Sequence, residues 1–387
     1  MAPAAAAPSL LLRQPRDEPP SDDDSDSDSL IAPLGRDLSI SCLVRCRRAD
    51  HDKVAALNKS FRSLIRGGEL YRQRRIAGIA EPWVYMSCNL MRWEAFDPAT
   101  RRWFNVPKMP ADPVFMHSDK ESLAVGTELL VVGREMEDMA IYKYRLDTNQ
   151  WTTDNPPMNT RRCLFASASA GSLAYVAGGV TIKGEILTSA ELYNSDTATW
   201  TPLPGGGLKT PRKKCCGVMM DGKFHVMGGY GPDRVPLTSA EVYDPRTMTW
   251  EVVPDMCPPS CGPYGCPPLC AVVGDELYAA EVADKKKMEL WRYVKGRNAW
   301  VSVGKLPATV ACTGGWGMAF KGVGERLVVI GGPRGGIGVV EIHSWVPPPA
   351  VAEEGGCGGG SAVPPRWEVI AGRQAGTFVY NCAIMSC

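Results

Sequence analysis

Short apolar runs alternate with turn residues through most of the chain, and they recur at a fixed interval. In the clearest unit the apolar runs span residues 163–168, 173–177, 190–193 and 200–203. The same four runs return about 50 residues later, at 214–220, 224–227, 240–243 and 250–253. Runs of this length, bounded by Gly, Asn, Asp and Pro, are typical of β-strands. The pattern therefore predicts repeated units of four short strands.

Tryptophans mark the same period. They stand 48 to 50 residues apart at Trp103, Trp151, Trp200, Trp250 and Trp300, and a sixth, Trp367, follows after 67 residues. The doublets Gly178-Gly179 and Gly228-Gly229 each precede a tryptophan by 22 residues. A period near 50 predicts a radial or stacked repeat. Four strands in each period predict the blade of a β-propeller.

The two ends of the repeat region predict how the propeller closes. Three strand-like runs begin the region, at residues 83–86, 93–97 and 103–106. A single run, at residues 377–385, follows the last tryptophan. Side-by-side pairing of these runs completes six blades and leaves no open sheet edge. We therefore expect an all-β, six-bladed propeller over residues 82–387 that is closed by its C-terminal strand.

Two segments carry neither strand nor helix pattern. Residues 1–29 are rich in Pro and Ala and then in Ser and Asp, so they have little apolar surface to bury. Such a composition predicts a disordered tail. Residues 346–366 are rich in Pro and Gly, and we expect them to form a disordered surface loop inserted into the sixth blade.

Between the tail and the propeller, at residues 30–76, the apolar spacing is helical. One stripe at helical spacing consists of Ile40, Leu43 and Val44. A second consists of Val54, Leu57, Phe61, Leu64 and Ile65, and Gly67-Gly68 ends this helix. A helical module of this size cannot bury both of its faces. We therefore expect another surface to cover its apolar side.

The helical module resembles an F-box. The resemblance lies in Leu30-Ile31-Ala32-Pro33-Leu34, Asp37-Leu38, Cys42-Leu43 and the run from Val54 to Ile65. The order Gly-Gly, then Glu-hydrophobic-Tyr, then Trp within the blades is similar to the kelch repeat. Together they resemble plant proteins with one N-terminal F-box followed by a kelch propeller.

That resemblance implies a substrate receptor without catalytic activity. The F-box would dock on a Skp-type adaptor and through it on a cullin-RING ubiquitin ligase, while the propeller binds a target protein for ubiquitination. Adaptor contacts are expected at Pro33, Leu34, Leu38, Leu43, Leu57, Phe61 and Leu64. Two alternatives stay open: a small helical cap packed on the propeller, and a kelch scaffold that binds cytoskeletal or signalling proteins without a ligase.

Composition and motifs favour recognition over catalysis. Lys and Arg number 43 against 42 Asp and Glu, a formal charge of +1, so no overall field attracts nucleic acid or an anionic membrane. No apolar run approaches the ~20 residues of a membrane helix, and the start of the chain lacks the basic residues of a secretory signal. The chain has no nucleophile elbow and no phosphate loop. We expect no cofactor.

The histidines and cysteines give little support for a metal site. A copper oxidase on a kelch propeller would need converging His and Tyr ligands, but the four histidines are widely separated, at His51, His117, His225 and His343. The fourteen cysteines are scattered through predicted strands, which favours a reducing compartment, the cytoplasm or the nucleus. Four of them cluster, at Cys257, Cys261, Cys266 and Cys270. Their spacing differs from that of zinc ligand pairs, so a rigid loop without metal is favoured.

Basic residues in the loops around one mouth of the propeller predict a surface for the target. The loops that enter each blade, and those that join second to third strands, converge at that mouth. Their basic residues are Arg134, Arg161, Arg162, Arg212, Lys213 and Arg334. Because a guanidinium group suits carboxylate or phosphate oxygens, we expect an acidic segment of the target protein to bind there.

Overall fold

The structure is a computed structural model that describes residues 30–32, 34–90, 92–258, 265–284, 287–333, 338–348 and 364–387. The expectations for the tail, for Pro33, Cys261 and Arg334, and for residues 349–363 of the insertion lie outside the described residues. Over the described ranges, the chain folds into a helical module followed by six four-stranded antiparallel sheets.

The helical module contains four α-helices and one 3₁₀ segment. The helices are α1 Arg36–Leu43, α2 His51–Leu57, α3 Lys59–Arg66 and α4 Glu69–Ile76, and the 3₁₀ segment is Arg48–Asp50. The second predicted helix is two helices, α2 and α3, because Asn58 has an extended backbone between them. The Asn58 side chain accepts the backbone N–H of Phe61 at 2.7 Å, which caps α3.

Each blade of the propeller is one sheet. Blade 1 contains β1 Pro82–Asn89, β2 Arg92–Asp97, β3 Arg102–Asn105 and the last strand of the chain, β24 Asn381–Ser386. Blade 2 follows a short helix, α5 Pro113–His117, and contains β4 Lys120–Val125, β5 Glu128–Arg134, β6 Met139–Arg145 and β7 Gln150–Thr152. Blade 3 contains β8 Ala166–Ala170, β9 Leu173–Ala177, β10 Ala190–Asn194 and β11 Thr199–Pro202.

The second half of the propeller repeats this arrangement. Blade 4 contains β12 Cys216–Met220, β13 Lys223–Met227, β14 Ala240–Asp244 and β15 Thr249–Val253. Blade 5 contains β16 Leu269–Val273, β17 Glu276–Asp284, β18 Lys287–Val294 and β19 Ala299–Lys305. Blade 6 contains β20 Ala319–Val323, β21 Arg326–Gly331, β22 Val339–Trp345 and β23 Glu368–Gln374.

The six blades close into a ring. The innermost strands β24, β4, β8, β12, β16 and β20 contact one another in that order around the central channel. Closure occurs in blade 1, where β24 pairs antiparallel with β1 and sets Trp83 opposite Met385. This confirms the predicted six-bladed fold and its closure. The closing strand begins at Asn381, later than the run at 377–385 predicts, because Val379 bridges to Gly317 of the loop that enters blade 6.

The tryptophan period corresponds to a repeated hydrogen bond. In three blades the indole N–H donates to a backbone carbonyl 44 residues earlier: Trp151 to Pro107, Trp250 to Gly206 and Trp300 to Met256, at 2.7, 3.4 and 3.1 Å. Each bond ties the outermost strand of a blade to the loop through which the chain enters that blade. The tryptophans of blades 2, 4 and 5 therefore have the same structural role.

The glycine doublet lets neighbouring blades approach closely. Gly178 and Gly179 have φ angles of 68° and 94°, a region that glycine adopts without steric cost. A Cβ atom on Gly178 would lie 2.5 Å from the carbonyl oxygen of Arg212. The backbone N–H of Gly179 donates to that same oxygen at 2.8 Å. A side chain at Gly178 would therefore push blade 3 away from the loop that enters blade 4, and one at Gly179 would meet the Cys163 carbonyl in the loop that enters blade 3.

Aromatic side chains fill the wedges between blades. Tyr193 and Trp200 of blade 3 pack with ring centroids 4.8 Å apart in a cluster that includes Leu123 and Val125 of blade 2. The Tyr193 hydroxyl donates to the carboxylate of Glu128, on blade 2, at 2.7 Å. Burial of such a side chain contributes about 2 to 3 kcal/mol, and the hydrogen bond fixes its orientation.

Candidate functional site

The connections between strands give the propeller two different faces. The module face carries the turns between first and second strands and between third and fourth strands, for example residues 171–172 and 195–198 of blade 3. The open face carries the connections between second and third strands and the loops between blades, for example residues 178–189 and 203–215. Any surface of the propeller that binds a partner belongs to one of these faces or to the rim.

The helical module packs against the module face, as the ion pair of α4 with a turn there demonstrates. Arg75 of α4 forms an ion pair of 2.8 Å with Asp196, in a turn of blade 3. The thiol of Cys387, which follows the closing strand, donates to the carbonyl of Gly126, in a turn of blade 2, at 3.2 Å. The module therefore lies on the side of the wheel opposite the loops predicted to bind a target.

A buried arginine of α4 fixes the module to the closing blade. Arg74 is 0% exposed and donates to the carbonyls of Val44 and Cys46, both at 2.6 Å. It also forms an ion pair of 2.7 Å with Glu81 and donates to the carbonyl of Cys387 at 3.3 Å. One guanidinium group thus joins the module, the segment that leads to β1 and the end of β24.

A second buried arginine strengthens this junction. Arg48 donates to the carbonyl of Met385 at 3.3 Å and to the hydroxyl of Tyr85. Its guanidinium carbon lies 4.2 Å from the centroid of the Trp83 ring, within the range of a cation–π contact. We call Arg48, Arg74 and their contacts on blade 1 the arginine clamp. The clamp holds one side of the helical module against the propeller. Less of the module's apolar surface is therefore left for a partner than the sequence predicted.

His51 lies beside the clamp and is buried. Burial lowers the pKa of this imidazole to about 4, and the charge of Arg74 lowers it further. The ring stacks at a tilt on Tyr71, with centroids 5.2 Å apart. His51 is therefore a neutral packing residue at neutral pH.

The predicted adaptor residues divide into exposed and internal groups. Leu38 and Leu57 are 60% and 72% exposed, and Leu34 is half-buried. Leu43, Phe61 and Leu64 are 6%, 8% and 2% exposed and lie in the shared core of module and propeller. The expectation of direct adaptor contact is wrong for these internal three, because their side chains hold the helices together. Leu38 and Leu57 stay as the candidate contacts.

Two of the predicted target-binding arginines are structural. Arg162 is 0% exposed and pairs with Glu191 at 2.6 Å; Arg212 is 0% exposed and pairs with Glu241 at 2.8 Å. Each guanidinium also donates to two backbone carbonyls of its own blade. The prediction that these two arginines contact a target is therefore wrong. The Arg-to-Glu spacing of 29 residues, identical in both blades, is the sequence signal that would have revealed the pairing.

The other predicted cations do lie on the open face. Arg134 and Arg161 are exposed and Lys213 is half-buried. Arg161 forms an ion pair with Asp138 in the neighbouring connection of blade 2, which takes up part of its charge. The surface predicted to bind a target therefore has fewer accessible cations than expected, namely Arg134, Arg161 and Lys213, and Arg161 is already paired with Asp138.

Sequence reasoning missed the residues at the mouth of the central channel. Lys321, on β20, and Trp316 and Tyr380, in loops that enter blades 6 and 1, line the cavity at the mouth. No local motif marks them. Their common signal is position, since each lies within or just before an innermost strand.

The histidines in the strands make local contacts. The Nδ1 atom of His225 lies 3.1 Å from the Lys223 carbonyl, and the Nε2 atom of His343 lies 3.2 Å from the carboxylate of Glu341. Burial lowers the pKa of both imidazoles. Across the described ranges, no three His, Cys, Asp or Glu side chains are grouped as metal ligands would be. Nor is any helix there long and apolar enough to cross a bilayer.

Comparison with known proteins agrees with this architecture. The Kelch motif model matches residues 161–207 and 211–256, which span most of blades 3 and 4. F-box/kelch-repeat protein At1g26930 of Arabidopsis thaliana is 47% identical over 375 residues, covering 94% of this chain and 85% of the relative. F-box/kelch-repeat protein SKIP11 of the same plant is 48% identical over 380 residues, covering 94% and 77%. The chain belongs to the F-box/kelch-repeat family.

Proposed function

We propose that this protein is the substrate receptor of a Skp-cullin-F-box ubiquitin ligase. The helical module binds a Skp-type adaptor, and the open face of the propeller holds the target protein for ubiquitination. The observation that supports the proposal is the docking of the helical module, through the arginine clamp, on the face of the propeller opposite the open face. Membership of the F-box/kelch-repeat family supports it.

In this role the receptor performs no bond chemistry. Its contribution is to raise the effective concentration of the target near the ubiquitin-charged enzyme, and that gain depends on geometry. A module that swivelled freely on the propeller would spread the target over a larger volume. The clamp, with Arg74 fully buried, holds the module against blade 1 and limits that spread. We place this activity in the cytoplasm or nucleus, which microscopy of the tagged protein tests.

Adaptor binding is tested on the two exposed leucines. We expect the double substitution Leu38→Asp and Leu57→Asp to weaken capture of a purified Skp-type adaptor at least 10-fold, because each change puts a charge into an apolar contact. The matched control is Val235→Asp, also an exposed aliphatic residue, 55% exposed on the open face, and it should bind the adaptor normally. Equal capture by the double variant and by the control would remove these leucines from the interface.

A second function has an observation in its favour. A kelch scaffold for cytoskeletal or signalling proteins would use the helical module only as a cap, and the packing of Leu43, Phe61 and Leu64 into a core shared with the propeller fits a cap. Wild-type protein that captures no Skp-type adaptor would favour the scaffold.

Proximity labelling with and without a proteasome inhibitor identifies the target, since a ubiquitinated target accumulates only with the inhibitor.

A further inference from the structure

Two cavities on the open face meet at one tyrosine. The first, of about 200 Å³, lies at the mouth of the central channel and is lined by Trp316, Lys321 and Tyr380 among others. The second, of about 550 Å³, lies between blades 6 and 1 and is lined by Arg92, Gly376 and Tyr380 among others. Because Tyr380 lines both, the mouth and this groove form one continuous depression that runs from the channel to the rim.

The groove exists because blade 1 has a very short connection on the open face. Its second and third strands are joined through residues 90 and 91 alone, since β1 ends at Asn89 and β2 begins at Arg92. In blades 3 and 4 the same connections span residues 178–189 and 228–239. A long connection raises a wall beside the mouth, and its absence in blade 1 leaves the mouth open toward the rim.

The floor of this depression is held in place by backbone hydrogen bonds. The N–H of Tyr380 donates to the carbonyl of Ser87 at 2.8 Å, and the N–H of Val379 donates to the carbonyl of Gly317 at 3.0 Å. The Tyr380 ring, 43% exposed, packs on Phe378 with centroids 4.7 Å apart. An aromatic platform fixed in this way loses little conformational entropy when a ligand binds.

The charges along the depression are those of unneutralised cations. Within the described part of the chain, none of Lys214, Lys321 and Arg92 has a carboxylate at ion-pair distance. Lys214 instead lies over the Trp316 ring, with its Nζ atom 5.7 Å from the centroid. Glu94, an acid that lines the groove, is neutralised by an ion pair of 2.6 Å with Arg373.

One acid, Glu121, lies in the same mouth. Burial raises its pKa to about 7, and the charge of Asp119 raises it further, while a backbone N–H of Leu164 and the charge of Lys321 act in the opposite direction. A carboxyl group that is partly protonated near pH 7 offsets the cations only in part. The depression is therefore positive and aromatic.

We propose that the channel mouth and the groove between blades 6 and 1 form one binding site for an extended acidic segment of a partner protein. Carboxylates of the segment pair with Lys214 and Lys321 at the mouth, its chain crosses the ring of Tyr380, and its far end reaches Arg92. The site differs from the one predicted at Arg161 and Arg162, and it lies where charge and shape coincide. This inference rests on the proposed function, since it specifies the target surface of the same receptor.

An unbiased selection tests the inference. The full chain is used to select binders from a random twelve-residue peptide library displayed on phage, and we expect the enriched peptides to be rich in Asp and Glu. An enriched peptide, synthesised with a fluorescent label, should bind Lys321→Gln and Tyr380→Ala at least 10-fold more weakly than wild type. Added salt should weaken binding to wild type, because exposed charge pairs are screened.

The control variant is Arg246→Gln, an exposed arginine in a turn on the module face, and it should bind the peptide as wild type does. Enrichment of neutral or basic peptides, or equal binding by Lys321→Gln and wild type, overturns the inference. Adaptor capture is measured on the same preparations. Loss of peptide binding by Lys321→Gln and Tyr380→Ala with normal adaptor capture confirms the site. Failure of wild type to capture the adaptor counts against the ligase role and not against this site.

Discussion

In blades 3 and 4 a buried arginine pairs with a glutamate of its own blade, whereas in blade 1 the buried arginines come from the helical module. Arg162 and Arg212 make equivalent contacts 50 residues apart, each to a glutamate and two carbonyls. Blade 1 has its chain break on the opposite side, at the module face, and Arg48 and Arg74 bind the carbonyls of Met385 and Cys387 there.

This difference indicates that the helical module takes part in closing the propeller. A blade built from continuous chain needs only local pairs to hold its entry loop. A blade assembled from two distant segments has no covalent link between its first and second strands. In blade 1 the noncovalent contacts of the clamp take the place of that link. Docking of the module and closure of the propeller are therefore coupled. Five predictions test this comparison between blade 1 and the other blades.

The largest effect is expected from removal of residues 381–387. This deletion takes the innermost strand from blade 1 and exposes the edge of β1, so we expect loss of the cooperative unfolding transition, equivalent to the whole stability of roughly 5 to 15 kcal/mol. Thermal unfolding followed by circular dichroism measures it. An unchanged transition in the truncated protein would contradict closure by β24.

Next in size is Arg212→Met in blade 4. The change leaves the buried Glu241 carboxylate without its ion pair, which costs about 3 to 5 kcal/mol. Arg162→Met in blade 3 should cost the same within about 1 kcal/mol, because both arginines pair with a glutamate and two carbonyls and Arg162 adds only one hydrogen bond, to the Thr160 carbonyl at 3.0 Å. Urea unfolding measures both. If the double variant Arg212→Met with Glu241→Leu is as unstable as the single variant, the loss has another cause.

Arg74→Met should act locally and less strongly. It removes charged hydrogen bonds to the module and to the end of β24, at a cost on the order of 2 to 3 kcal/mol. We expect the segment at residues 77–81 to become sensitive to limited proteolysis while the remaining blades stay protected. Arg75→Met, which breaks only the partly exposed pair with Asp196, is the control. Equal cleavage of both variants would show that Arg74 has no special role.

His51 makes the blade 1 junction sensitive to acid. Its pKa is lowered to about 4 by burial and by Arg74, with Arg48 adding to the effect and Asp50 opposing it. A folded pKa below the ordinary value near 6.5 means that this stability is present above pH 6.5 and is lost as pH falls toward 4. We expect a loss on the order of 1 to 2 kcal/mol at pH 5, measured by urea unfolding. His51→Gln should show a smaller difference between pH 7.5 and pH 5; an identical difference would exclude His51 as the cause.

The smallest effect is expected at the surface of blade 4. Arg246 lies 3.6 Å from Asp244 with its side chain 82% exposed, and exposed pairs contribute little. Arg246→Ala should therefore change the free energy of unfolding by less than about 0.5 kcal/mol. Set beside Arg212→Met, this variant separates the effect of burial from that of charge. A loss of stability as large as that of Arg212→Met would show that burial of an ion pair does not determine its contribution to the free energy of unfolding.

The fold was predictable because its signal is periodic. Trp151, Trp250 and Trp300 make one equivalent hydrogen bond in blades 2, 4 and 5, and the incomplete strand sets at the two ends of the repeat region required the termini to meet. The division of one predicted helix into α2 and α3 was not predictable from the apolar stripe. The stripe runs through both helices, and only the Asn58 cap separates them.

The candidate sites were less predictable because burial depends on distant partners. Arg161 and Arg162 are neighbours in sequence, yet one is exposed and the other is buried against Glu191, which lies on another strand. Arg74 binds a carbonyl 313 residues away, and no local pattern can report such a contact. Tyr380 gains its position from its hydrogen bond to Ser87 of β1 and from the bond of the neighbouring Val379 to Gly317, in the loop that enters blade 6.

The separation of the two faces has a consequence for how such receptors diversify. Connections such as residues 178–189 and 228–239 touch neither the module nor its clamp in the contacts described above, so their length and chemistry can change without disturbing the docking geometry. Under the proposed function, a lineage can therefore acquire new target proteins by altering the open face while the face that docks the helical module is inherited intact.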